Sequence, residues 1–155
     1  MSFPSKTLAL LQRIFYPLTN TPDQALQALR NGTFAAWIMV AMHFLLGAVI
    51  LIQLSGDPSV TGGDRLIPAT IQLFFALIYA GLATANWKGS RVSAIAILVL
   101  VLFDMFVVTS RVHEVDLQAT LQRIQATVLL VPLLLSIGGV RGVFAYARFV
   151  KSGEA

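Results

Sequence analysis

The stretch VSAIAILVLVLFDMFVVTS, Val92 to Ser110, decides the fold. It is an apolar run broken by a single formal charge, Asp104. A helix rises about 1.5 Å per residue, so such a run covers close to the roughly 30 Å of hydrocarbon in a bilayer. An ionisable group inside a membrane helix is costly, so it faces the bundle interior and is a functional-site hypothesis by default.

Three further apolar runs surround this one. Thr33 to Leu54 carries no formal charge, with His43 and Gln53 as its strongly polar side chains and Trp37 placed for an interfacial aromatic belt. Leu66 to Asn86 ends at Trp87, on the opposite interface, and Pro68 falls in its first turn, where a missing N–H costs little. The short link from Trp87 to Arg91 makes the second and third spans antiparallel neighbours, with Ser90 as N-cap. Ile124 to Val140 is the fourth run, and Pro132 near its middle should kink the helix and release a carbonyl one turn earlier. That run is short, so the helix should extend at both ends and let Arg123 and Arg141 snorkel.

The expected fold is an all-α membrane protein, a four-transmembrane-helix antiparallel bundle with an N-terminal interfacial helix or helices. The spans are about 33–54, 66–86, 92–110 and 120–145 within a transmembrane domain of 33–155, preceded by a segment of 1–32. In that segment Lys6, Gln12, Arg13 and Pro17 interrupt the apolar residues, unlike the core of a cleavable signal peptide. Leu8, Leu11, Phe15 and Leu18 follow helical spacing, either as a helix on the membrane surface or as a cytoplasmic tail packed on the bundle. Thr21-Pro22-Asp23-Gln24 reads as the start of another short helix, with Asn31-Gly32 as its stop before the chain turns into the bilayer.

Composition agrees with that fold. Of 155 residues 57% are hydrophobic and 12% charged, with a mean hydropathy of +0.79; a soluble domain is about 25% charged. The net charge of +4 does not indicate nucleic acid, because the basic residues sit at the ends of apolar runs and form no stripe. Lys6, Arg13, Arg30, Lys88, Arg91, Arg141, Arg148 and Lys151 fall on one side of the predicted bundle. Arg65, Arg111 and Arg123 fall on the other, with Asp57, Asp64, Glu114 and Asp116. The positive-inside rule then puts both termini in the cytoplasm, and the expected location is a bacterial inner membrane. The absence of cysteine removes disulfides, thiolate metal sites and thiol nucleophiles together.

The depths of the polar residues point to one candidate site. His43 is near the middle of its span, and Asp104, Gln72 and Gln125 lie a few residues to the side away from the basic end. In one reading they line a wet cavity, with Asp104 binding a cation or proton, His43 relaying or sensing protonation, and Arg123 or Arg111 tuning Asp104. In the other, Asp104 is bonded to Gln72, His43 or Arg123 and fixes helix order. A bis-histidine haem is excluded within one chain, because His113 lies about 18 Å from His43 along the axis. No zinc set, nucleophilic triad or phosphate-binding loop is present, so no enzyme, cofactor or metal is expected. Gly138 and Gly142 form a GxxxG pair for internal packing or for a dimer, and Ala76 and Ala80 belong to a small-residue face on the second span.

Two functions follow as expectations. The first is an interaction or accessory subunit, or a homo-oligomer, of a membrane complex, whose partners are the bilayer and other membrane subunits. The second is a small proton- or cation-coupled channel or transporter using Asp104. The orientation predicts that a membrane-impermeant reagent labels both chain ends from the cytoplasmic face; ends labelled on opposite faces would refute the topology.

Overall fold

A computed structural model describes residues 17–55, 62–110 and 117–153, with side chains over 17–52, 66–110 and 125–153. The described residues form four helices and no strand: α1 (Pro22–Ser55), α2 (Gly62–Trp87), α3 (Arg91–Ser110) and α4 (Leu117–Ser152). All four are long and apolar enough to cross a membrane, and the protein is an all-α membrane-type bundle. Of the surface helix expected from Leu8, Leu11, Phe15 and Leu18, Leu18 is described, and it is non-helical and exposed; the other three, the polar groups His113, Glu114 and Asp116, and Arg111 lie outside the described residues, as does the side chain of Arg123.

α1 starts where its capping residues say it should. Thr21 Oγ1 accepts the Gln24 N–H at 3.3 Å, and the Gln24 side chain reaches back to the Asn20 N–H at 3.2 Å, one residue before the cap. The expected stop at Asn31-Gly32 does not occur. α1 runs on through both residues for 34 residues in all, so Ala25 to Arg30 belongs to the same rod as the first span.

The reason is packing. Ala25, Ala28, Leu29, Gly32, Ala36, Met39 and His43 form one buried stripe at helical spacing. Gly32 serves that stripe by having no side chain: a Cβ there would stand 2.8 Å from Gly139 Cα and 3.2 Å from Asn86 Nδ2. A glycine inside a helix costs about 1 kcal/mol relative to alanine; here it lets two backbones touch. Of the expected Gly138–Gly142 pair, Gly142 packs on α1 at Ala28 and Leu29, together with its neighbour Gly139 on Gly32.

α1 lies between α2 and α4, and α3 closes the ring, mainly against α4. The direction alternates: Thr33 meets Asn86 and Gly47 meets Ala69, so α2 descends as α1 climbs. α2 buries Ala69, Ala76, Tyr79, Ala83 and Asn86, a seam of seven-, three- and four-residue steps, with Ala80 half-buried beside it. Asn86, fully buried, donates to Leu29 O at 3.2 Å and to Thr33 Oγ1 at 3.0 Å. The core joins Ala36 and Met39, Tyr79 and Ala83, Ile97 and Val101, and Leu129, from all four helices. α2 begins at Gly62, so Pro68 stands inside the helix and not in its first turn.

The α2–α3 turn is short and fully bonded. Gly89 takes φ +82°, its N–H bonds Asn86 O at 2.8 Å, and the Ser90 N–H bonds Ala85 O at 3.2 Å. This is a Schellman closure. Ser90 Oγ then accepts the Ser93 N–H at 3.3 Å, capping α3 as its sequence predicts. The outward faces carry large apolar side chains such as Phe44, Leu77, Val92 and Phe106, which suit lipid.

Gly142→Ala should destabilise the bundle by about 1–3 kcal/mol, since the new methyl meets the α1 backbone. Gly81→Ala, with nothing within 4 Å of the added Cβ, should be neutral or stabilising by up to about 1 kcal/mol. Reversible unfolding in mixed micelles reads both.

Candidate functional site within the membrane bundle

One residue per helix would not make a site unless the helices are rotated to face one another. His43 is eleven residues beyond Gly32, three turns along α1, so the face that meets α4 also points His43 inward. Gly47, one turn later, places its missing Cβ 3.3 Å from Gln72 Cβ, which brings α2 close at the same level. Gln72 and Tyr79 are seven residues apart on the inner seam of α2.

The resulting network joins three helices. His43 Nδ1 lies 2.7 Å from Gln72 Oε1, and His43 Nε2 lies 3.2 Å from Asp104 Oδ2. The Tyr79 hydroxyl donates to the same Oδ2 at 2.7 Å. The imidazole is held flat against Phe75 and Tyr79, with ring centroids 5.5 and 5.4 Å apart. Oδ2 therefore accepts twice, while Asp104 Oδ1 takes no hydrogen bond from any described residue.

Both imidazole nitrogens face acceptor oxygens. With Nδ1–H donated to Gln72, the Nε2 position needs a proton between itself and Asp104. That proton resides on the ring, giving an imidazolium–carboxylate pair, or on the carboxyl, giving a neutral pair. In either case the pair holds one more proton than a neutral imidazole beside an ionised carboxylate, and its net charge is zero.

Beside this network is a cavity of about 260 Å³, roughly the liquid volume of eight or nine waters. His43, Gln72, Asp104 and Gln125 provide its polar wall. Met39, Met42, Ile50, Val108 and Leu129 contribute to its apolar wall. On α1 the lining runs from Met39 to Ile50, about 16 Å along the axis. The core of Ala36, Tyr79, Ala83, Ile97 and Val101 lies between the cavity and the end of the bundle that carries Lys88 and Arg91. At that end Arg30 stacks over Trp87 at 5.3 Å and Arg91 over Phe144 at 5.4 Å.

The structure thus brings together His43, Gln72 and Asp104 and sets Gln125 on the same cavity. Arg123 and Arg111 contribute nothing that can be placed, and Gly138, Gly142, Ala76 and Ala80 lie in helix packing away from the cavity. Tyr79 and Phe75 belong to the site and were not singled out by sequence. The signal for Tyr79 was its seven-residue offset from Gln72 along the small-residue face of α2. Among the described residues no group of three or more His, Cys, Asp or Glu could hold a metal ion.

The chain matches no family model, no curated protein and no solved structure in comparisons with each. The site is therefore read from its own chemistry.

Tyr79→Phe removes one interhelical hydrogen bond and should lower stability by roughly 0.6 kcal/mol, at most about 1.7 kcal/mol. Combined with Asp104→Asn the two losses should be non-additive in a double-mutant cycle of unfolding free energies.

Proposed function

We propose that the protein takes up a proton or cation at Asp104 and works as a small coupled channel or transporter. The observation that carries this reading is the position of Asp104. Its Oδ2 is held by Tyr79 and His43, yet the residue lines a cavity inside the bundle and its Oδ1 takes no hydrogen bond from the described residues. A carboxylate serving only to fix helix order has no need of such a space, since buried charges are otherwise fully paired. The apolar core beneath the cavity favours alternating access over a continuous pore, because it closes the path toward the basic end.

On this reading the protein lies in a bacterial inner membrane with both termini in the cytoplasm, and the cavity sits in the outer half of the bilayer. The reading as an accessory subunit or homo-oligomer draws less support. Its small-residue faces are occupied within the chain, with Gly139 and Gly142 against α1 and Ala76 and Ala83 in the inner seam.

The test is flux. In proteoliposomes with an internal pH dye and an inorganic or organic monovalent cation supplied on the opposite side, the wild-type chain should dissipate an imposed proton gradient, and Asp104→Asn should slow this at least about tenfold, the cost of roughly 1.4 kcal/mol in a barrier. Equal amounts of folded protein must be reconstituted. Flux unaltered by Asp104→Asn would remove the transport reading.

A further inference from the structure

We infer that the cavity binds a small organic ammonium ion and exchanges it, one for one, for a single proton held by His43 and Asp104. This deepens the reading above and rests on it for the role of Asp104.

The first support is the inventory of protons. With Gln72 Oε1 on one ring nitrogen and Asp104 Oδ2 on the other, the empty site carries one exchangeable proton and no net charge. Loss of that proton leaves a neutral imidazole whose Nε2–H still bonds Asp104, and a carboxylate with its charge uncompensated. In a low-dielectric bundle such a charge needs a counter-charge beside it. A cation at Asp104 supplies it, so cation entry and proton exit are linked. In the exchange an ammonium ion enters, the N–H bond at His43 Nδ1 breaks, and its proton leaves to water. The site is neutral before and after. Among the described residues the titratable groups facing the ring are Tyr79 from α2 and Asp104 from α3, with none from α1 or α4; the Tyr79 hydroxyl keeps its proton and donates it in a hydrogen bond to Oδ2.

The second support is Gln72. A primary amide offers an oxygen on one side and an NH₂ on the other. Facing Nδ1 with its oxygen, at 2.7 Å, it accepts from the protonated ring. Turned over, it donates to the bare Nδ1 of the neutral ring. Both protonation states of His43 are thus satisfied by one side chain without moving a helix.

The third support is the shape and lining of the space. Asp104 and Gln125 line the cavity, and neither Asp104 Oδ1 nor the Gln125 amide has a hydrogen-bond partner among the described residues. They suit the N–H donors of an ammonium head. The rest of the wall includes Met39, Met42, Leu46 and Val107, which suit a hydrocarbon body. A bare metal cation asks for several oxygen ligands, and one carboxylate with two amides falls short of that set.

The test uses the full chain in nanodiscs and cyclohexylammonium as probe. Calorimetric titration in two buffers of different ionisation enthalpy should show about one proton released per ammonium bound. Between about pH 5 and 8, where an imidazole changes charge, the affinity should rise by up to about tenfold per pH unit. Cyclohexanol, with the same body and no charge, should bind at least about tenfold more weakly. His43→Gln should still bind the ammonium, and should lose the part of the pH dependence that the imidazole contributes.

Binding without proton release, equal binding of cyclohexanol, or release of the proton by sodium chloride alone with the same affinity would each overturn the exchange. So would the absence of any ammonium binding. If Asp104-dependent proton flux persists while no ammonium binds, the exchange falls and the broader transport reading stands; if flux is absent as well, both fall. Should His43→Gln fail to fold, the two-buffer measurement on the unaltered chain decides the matter alone.

Discussion

The contact on which this molecule depends is backbone against backbone, where α1 crosses α4. Gly32 faces Gly139, and Gly142 faces Ala28 and Leu29, at distances that leave no room for a methyl group. Lipid gives helices no hydrophobic reason to associate, so close approach and interhelical hydrogen bonding carry the load. The crossing also fixes the rotation of α1 about its axis. Everything at three- and four-residue steps from Gly32 must then face inward, and His43 is one of those residues. The tight end and the polar site are two results of one helical phase.

Asp104 is the second constraint. A carboxylate at this depth needs donors, and it finds them on two other helices, in Tyr79 and His43. Direct contact between α1 and α3 is slight, so the His43–Asp104 pair is the main polar link across the diagonal of the bundle. Stacking between Phe75 and Tyr79 keeps the imidazole in the plane that reaches both Gln72 and Asp104. His43, Gln72 and Asp104 therefore hold the helices in order and also form the polar wall of the cavity. The two roles weighed for Asp104 from its sequence position are compatible in one geometry.

Much of this is legible in the sequence. The four apolar runs predict the helices, the short Trp87–Arg91 link predicts the reversal with Ser90 as cap, and the depths of His43, Gln72 and Asp104 bring them within a few residues of one another along the bundle. The misreadings share a cause. Asn31-Gly32 looks like a helix stop because local propensity favours one, but the need for a side-chain-free contact with Gly139 overrides it. Neither Gly32 nor Gly139 has the positive φ that a terminating glycine would take. Tyr79 is hard to find in the sequence because a tyrosine in a membrane helix reads first as apolar bulk; its hydroxyl acquires meaning only when another helix brings a carboxylate to it. The pairing of Gly142 with Gly139 on α1 likewise depends on which side of α4 the partner lies, which spacing alone leaves open.

Pro132 stands buried in α4 between two differently anchored halves. Toward the C-terminus, Gly139 and Gly142 are welded to α1; toward the N-terminus, Gln125 and Leu129 form part of the cavity wall. A proline has no N–H to offer the carbonyl one turn back, that of Val128, so a rung of the helical ladder is missing at this level. α4 is thus a rod with a soft joint, stiffly rooted at one end. Its other arm is held in the core through Leu129 and walls the chamber, so the bend at this joint sets the chamber's width while the root keeps the registry of the bundle.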